Sequence, residues 1–98
     1  MYVVVRSYSG QGASELLDLM GQREEDIKNL ISGVRGFVSY AAIRSGDGGV
    51  TVTLCQDKDG TDESSRRAAE WVKENVSTTG SPPAITEGST VLQFGAQL

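Results

Sequence analysis

The sequence predicts an α+β fold of βαββαβ order, the ferredoxin-like pattern in which a four-stranded antiparallel sheet carries two helices on one face. Three observations carry that expectation. β-Branched and aromatic runs alternate with two stretches of helical periodicity. A glycine-rich break, Ser45-Gly46-Asp47-Gly48-Gly49, lies between the two middle strands as a hairpin signal. The strands are also apolar on both faces: Tyr2-Val3-Val4-Val5 and Phe37-Val38-Ser39-Tyr40-Ala41-Ala42-Ile43 hardly alternate. Two helices cover only one side of a sheet, so the other side needs a cover, and a second copy of the chain is the simplest one.

Taken in order, residues 2–8 read as the first strand, ended by Ser9-Gly10. Ser14 is the expected N-cap of a helix running to Ile31 or Ser32. Its apolar positions Leu16, Leu17, Met20, Ile27, Leu30, Ile31 and Val34 form one stripe, with Gly33 and Gly36 closing it. Gly21 is a weak point at which this helix can bend. Residues 37–44 form the second strand and residues 50–55 the third. Asp57-Lys58-Asp59-Gly60 reads as a turn, after which Thr61 or Asp62 caps a second helix reaching Val76. That helix pairs Asp62 with Arg66 and Glu63 with Arg67, and its apolar side is Ala68, Ala69, Trp71, Val72 and Val76. Residues 77–88, with Pro82-Pro83, read as a loop, and residues 90–94 as the last strand. The right-handed crossover rule leaves few other topologies. Parity alone leaves open whether Val3, Val5 and Ser7 or Tyr2, Val4, Arg6 and Tyr8 face the helices.

Composition bounds the function. Ninety-eight residues, 38% of them apolar, suit one domain spanning residues 1–98 around one core. Thirteen acidic residues against nine basic ones, interspersed, leave no basic stripe for nucleic acid. No apolar run is long enough to span a membrane, and no signal peptide precedes the first strand, so a cytoplasmic location is expected. The one cysteine, Cys55, lies in an apolar strand and reads as a buried small hydrophobe.

The chain contains no histidine, which removes the usual general base and the commonest metal and haem ligand. Neither a metal site nor a cofactor is expected. Asp57-x-Asp59-Gly60 lacks the spacing of a calcium loop, and Gly10-Gln11-Gly12 has Glu15 where a dinucleotide fingerprint needs its third glycine. What remains is an aromatic and basic set: Arg6, Tyr8, Tyr40, Arg44, Trp71 and Asn75. Arg6 and Tyr8 share a strand face, as do Tyr40 and Arg44, while Trp71 and Asn75 stand four apart on a helix. Converging on a cavity, they suit a flat anionic or phenolic molecule, with rings for stacking and arginine for charge. The plainer alternative places Trp71 in the core, the arginines at its rim and the tyrosines at a dimer seam. No motif singles out a catalytic residue.

Several stretches together resemble a known group: Gly36-Phe37-Val38-Ser39-Tyr40, the Gly46-Asp47-Gly48-Gly49 hairpin, Asp57-Lys58-Asp59-Gly60, Arg66-Arg67-Ala68-Ala69-Glu70-Trp71-Val72, and Glu87-Gly88 before a strand. They look like small bacterial proteins similar to the dimeric α/β-barrel superfamily, which includes the antibiotic-biosynthesis monooxygenases. The resemblance covers nearly the whole chain. It implies a homodimer joined sheet to sheet. It also implies either a cofactor-independent oxygenase of an aromatic or phenolic compound, or a non-catalytic ligand-sensing or structural dimer. Such oxygenases set Trp, Asn, Tyr and Arg around a substrate that is itself deprotonated, and Trp71 and Asn75 resemble members of that set. Strand 1 carries Arg6 and Ser7 where an asparagine is often found. Haem-degrading members place an axial histidine after a tryptophan such as Trp71, and with no histidine here that chemistry is excluded.

Overall fold

The computed structural model describes residues 1–76, 80 and 82–96. In chain order its elements are β1 (Tyr2–Tyr8), α1 (Ala13–Gln22), α2 (Glu24–Ser32), β2 (Phe37–Ser45), β3 (Gly48–Cys55), α3 (Lys58–Asn75) and β4 (Ala84–Ser89). The four strands form one antiparallel sheet of order β2-β3-β1-β4. β1 and β2 run parallel with β3 antiparallel between them, the split arrangement of ferredoxin-like folds.

Four elements depart from expectation, three for a local reason and the last strand for a tertiary one. The expected single first helix is broken at Arg23 (φ −114°, ψ 39°) into α1 and α2. Residues 21–26 are glycine or polar, so no buried side chain holds a straight helix there. The break re-aims the apolar stripe, bringing Leu16 and Leu17 of α1, Ile27 and Ile31 of α2 and Trp71 of α3 into one core. The N-cap of α1 is Gly12 at φ 85°, a conformation only glycine adopts freely, and Ser14 lies inside the first turn. α3 begins at Lys58, because the Asp57 carboxylate accepts the Gly60 N–H at 3.1 Å and so makes the expected turn the start of the helix.

On the surface of α3, Arg66 reaches both Glu63 (2.6 Å) and Glu70 (2.7 Å), while Asp62 takes Lys58 at 2.8 Å. Arg67 keeps Glu63 at 3.3 Å, and its Nη1 donates to the Leu30 carbonyl at 2.8 Å, tying α3 to the end of α2.

The last strand is Ala84–Ser89, not residues 90–94. The segment Ala-Ile-Thr-Glu-Gly-Ser has weak strand propensity, but its backbone completes the free edge of β1, with Val5 opposite Thr86. The Thr90 N–H donates to the Met1 carbonyl at 3.0 Å, and there, at the first residue of the chain, the edge offered by β1 runs out. Val91, Leu92 and Phe94 therefore have no ladder to join and lie exposed. Of the expected loop, residues 77–79 and 81 lie outside the described residues.

Register decides which strand face meets the helices. Arg6 stands opposite Thr51 and Val4 opposite Thr53, and Arg6 reaches Ser64 and Ser65 on α3. Tyr2, Val4, Arg6, Tyr8, Tyr40, Thr51, Thr53 and Cys55 thus lie under the helices. Val3, Val5, Val50, Val52 and Leu54 point the other way, as does Ile43, which is 57% exposed. The sheet is turned against the usual arrangement, polar beneath the helices and apolar on its open face. Cys55 is buried, and burial, followed by the Asp57 carboxylate, pushes its thiol pKa up, as suits an inert core residue.

Two glycines in helices are expected to answer oppositely to alanine. A Cβ at Gly60 would lie 2.8 Å from the Cys55 Cβ and 2.9 Å from the Arg35 carbonyl oxygen, whereas nothing lies within 4 Å of one at Gly21. Urea unfolding should show Gly60→Ala destabilised by roughly 1–3 kcal/mol through overpacking. Gly21→Ala should gain up to about 1 kcal/mol from helix propensity. Equal effects at the two positions would contradict the close approach of α3 to β3.

Candidate small-molecule site

The polar underside of the sheet centres on Arg6, which is 2% exposed. Its Nη1 donates to Thr53 Oγ1 (3.2 Å) and, at the limit of hydrogen bonding, to Thr51 Oγ1 (3.5 Å). Its Nη2 donates to Ser64 Oγ (2.7 Å) and Ser65 Oγ (2.9 Å). All of these partners are neutral hydroxyls, and Nε has no partner among the described residues. Burial lowers the guanidinium's pKa, yet arginine stays protonated at neutral pH. No carboxylate is hydrogen-bonded to this cation, and Glu87, on the neighbouring strand, acts on it only through its field, so the buried charge still attracts an anion.

Tyr8, Tyr40 and Trp71 converge with Arg6 around a gap of about 20 Å³ beneath α3. Burial pushes the Tyr8 phenol up, opposed by Arg6. It pushes Tyr40 further, to about 12, with Tyr8 adding to the rise and Arg6 opposing it. Trp71 is buried, and the Arg23 guanidinium lies 5.8 Å from its ring centroid. On the β4 side, Arg6, Tyr8 and Ser65 also line a cavity of about 350 Å³. Its other walls are largely apolar, from Leu16, Ala68, Val72, Val76, Pro83 and Ile85, and the Gln11-Gly12-Ala13 segment closes one end. That volume lies in the range of small-molecule sites.

Four of the six residues singled out in the sequence are therefore gathered, and two are not. Arg44 sits at the far end of β2, held by Asp18 and by Ser14 Oγ at 3.4 Å. With Tyr40 it lines a separate groove of about 780 Å³ between α1, α2 and β2. Asn75 folds back along α3: its Nδ2 donates to the Trp71 carbonyl at 2.9 Å and its Oδ1 accepts from Arg23 at 3.3 Å. Standing four residues from Trp71 places the two on one helix flank, but Trp71 reaches the core and Asn75 the rim. Sequence reasoning missed the hydroxyls of Thr51, Thr53, Ser64 and Ser65. The alternation Thr51-x-Thr53 was a readable signal, since it places two hydroxyls on one face of β3. Among the described residues no cluster of three or more His, Cys, Asp or Glu is placed to hold a metal ion. No described helix is long and apolar enough to cross a membrane.

No protein-family model matches the chain, and no curated protein matches it significantly. Solved structures do. A protein of unknown function from Nitrosomonas europaea, NE2512, superposes with a TM-score of 0.70 at 16% identity, over 98% of this chain and 93% of that one. A dimeric ferredoxin-like protein from an uncultured marine organism gives 0.67 at 14% identity, over 97% and 96%. The monooxygenase ActVA-Orf6 of Streptomyces coelicolor, solved with nanaomycin D, gives 0.66 at 22% identity, over 99% and 90%. The chain shares the ferredoxin-like α+β fold of these structures. The match to ActVA-Orf6 runs over nearly the full length of this chain. Arg6, Tyr8, Tyr40 and Trp71 meet in the space between the sheet and the helices of this fold.

The burial of Tyr40 sets an alkaline limit on stability. Below pH about 10, the ordinary tyrosine value, both folded and unfolded chains hold the proton and its contribution is intact. Between about 10 and about 12 the unfolded chain loses the proton while the folded one keeps it, so stability falls through that window. A spectrophotometric titration of the native chain against Tyr40→Phe should show one phenol ionising late, and a Tyr40 that ionises near 10 would contradict the buried geometry.

Proposed function

We propose that the protein is a cytoplasmic bacterial homodimer, one domain per chain, that binds an aromatic or phenolic small molecule in the cavity beside Arg6 and oxidises it with molecular oxygen, without a cofactor. The observation that carries this reading is the buried, hydroxyl-held Arg6 charge opening onto an apolar cavity. Such a charge favours the ionised form of a phenol, and the electron-rich ring is the species that reacts with oxygen. In the overall reaction one oxygen atom becomes a ring carbonyl. The other leaves as water with the hydrogens lost from the ring carbon and the hydroxyl. Arg6 would hold the developing oxyanion, Tyr8 and Trp71 would fix the ring between sheet and helices, and the apolar walls would exclude water. The match in fold to a monooxygenase supports the class of chemistry by analogy.

A second reading, a ligand-sensing or structural dimer without turnover, is favoured by one observation. The described lining of the cavity holds no carboxylate or imidazole to take a proton. Oxygen uptake with a panel of phenols and quinols separates the two. Turnover lost in Arg6→Ala and reduced severalfold or more in Trp71→Phe supports the oxygenase. Saturable thermal stabilisation without oxygen uptake supports the binding protein.

The dimer reading rests on the open sheet face. Val3, Val5, Val50, Val52 and Ile43 share the open face, where Val52 and Ile43 are exposed, and two such faces stacked about 10 Å apart would bury each other around a two-fold axis. A dimeric protein of the same fold supports it. Light scattering should find a dimer that Val52→Lys, at the centre of the face, dissociates without loss of secondary structure. A native chain that is monomeric at micromolar concentration would sink this reading.

A further inference from the structure

Two electropositive features line the 350 Å³ cavity. One is Arg6, whose buried Nε lacks a partner. The other is the amino end of α1, a helix of 10 residues whose N-cap, Gly12, offers no side-chain hydrogen bond to the first turn. Gln11, Gly12 and Ala13 line the cavity, so the amino end of the helix borders it; the Ala13 N–H itself donates to the Gly10 carbonyl at 3.2 Å, and Glu15 lies in the same turn. A helix amino end carries a partial positive charge and offers backbone donors, which is why anions settle there. Between the two anchors the walls are apolar, from Leu16, Val72 and Ile85.

We infer that the cavity binds an aromatic carboxylate, with one carboxylate oxygen on the Arg6 guanidinium and the other toward the amino end of α1. A phenol brings a single oxygen and is largely neutral at pH 7, so it can answer only one of the two anchors. A carboxylate is fully ionised and presents two acceptor oxygens, and its hydrogen bonds to charged or dipolar donors are about twice as strong as neutral ones. The aromatic body occupies the apolar walls beside Tyr8. This rests on the reading of the cavity as a small-molecule site and goes beyond it by naming the acidic group and its second anchor.

The test compares 2-naphthoate, its neutral carboxamide, 2-naphthol and acetate by calorimetry and by backbone amide shifts. The carboxylate should bind at least about tenfold more tightly than the carboxamide. Its binding should move the Ala13 and Ser14 amide resonances, and acetate, lacking the ring, should bind weakly. Gln11→Glu, nearly isosteric and exposed, adds one negative charge at the helix end of the cavity. It should weaken naphthoate severalfold while sparing the carboxamide. Arg6→Met should abolish the preference for the acid. It should still fold, since an apolar residue in place of a buried charge is often neutral or stabilising. Equal affinity for acid and amide overturns the inference, as does naphthoate binding indifferent to Gln11→Glu and without shifts at Ala13 and Ser14. Naphthol binding as tightly as naphthoate overturns it while leaving the phenolic reading in place. Failure of all three ring compounds to bind overturns both.

Discussion

A guanidinium buried among hydroxyls, with no carboxylate bonded to it, organises this protein. Arg6 lies on the central strand, where Thr51 and Thr53 of the neighbouring strand and Ser64 and Ser65 of α3 all turn toward it. Holding those hydroxyls close requires α3 to approach the sheet closely. That approach requires Gly60, Thr61 and Ser64 on the buried face of the helix, where larger side chains would not fit. The helix that in a plain α+β core would carry leucines instead carries small and polar residues over the sheet. Its one large contribution, Trp71, sits at the edge of the polar cluster against α1 and α2.

The same arrangement gives the sheet its inverted polarity. With arginine, tyrosines and threonines beneath the helices, the valine set is driven to the open face by the two-residue period of a strand. A one-residue register slip would exchange the two sets and leave Arg6 in water. The apolar open face and the polar interior are thus two consequences of one register. The apolar face over the sheet and the charged chamber under it are therefore coupled in a chain of 98 residues, where every strand face counts toward hydrophobic burial.

Much of this was legible in the residues. The element order followed from periodicity and turn chemistry, and the excess of apolar strand surface over helix supply was visible in Tyr2-Val3-Val4-Val5 alone. Arg6, Tyr8, Tyr40 and Trp71 were singled out as a set, and they meet. Errors arose where local propensity competed with tertiary pairing. The β-branched and aromatic residues 90–94 outscore Ala84–Ser89 as a strand, but the edge of β1 is offered only to the latter. Asn75 was grouped with Trp71 by helical spacing, and a rotation of one helix flank is enough to send one side chain to the core and the other to Arg23. Arg44 shares a strand face with Tyr40 but lies four residues along, beyond the cover of α3.

By itself the sequence determined the strand and helix order, the glycine hairpin, the absence of histidine chemistry and the surplus of apolar surface, because these depend on short-range pattern and composition. Only the tertiary structure decided which strand face lies inside, where the first helix breaks, which segment closes the sheet, and that Arg6 is buried with hydroxyl partners brought from β3 and α3. The burial of Arg6 depends on contacts between residues 45 or more positions apart. A strand carries the same residues whichever face it turns inward, and the choice is made by what packs against it.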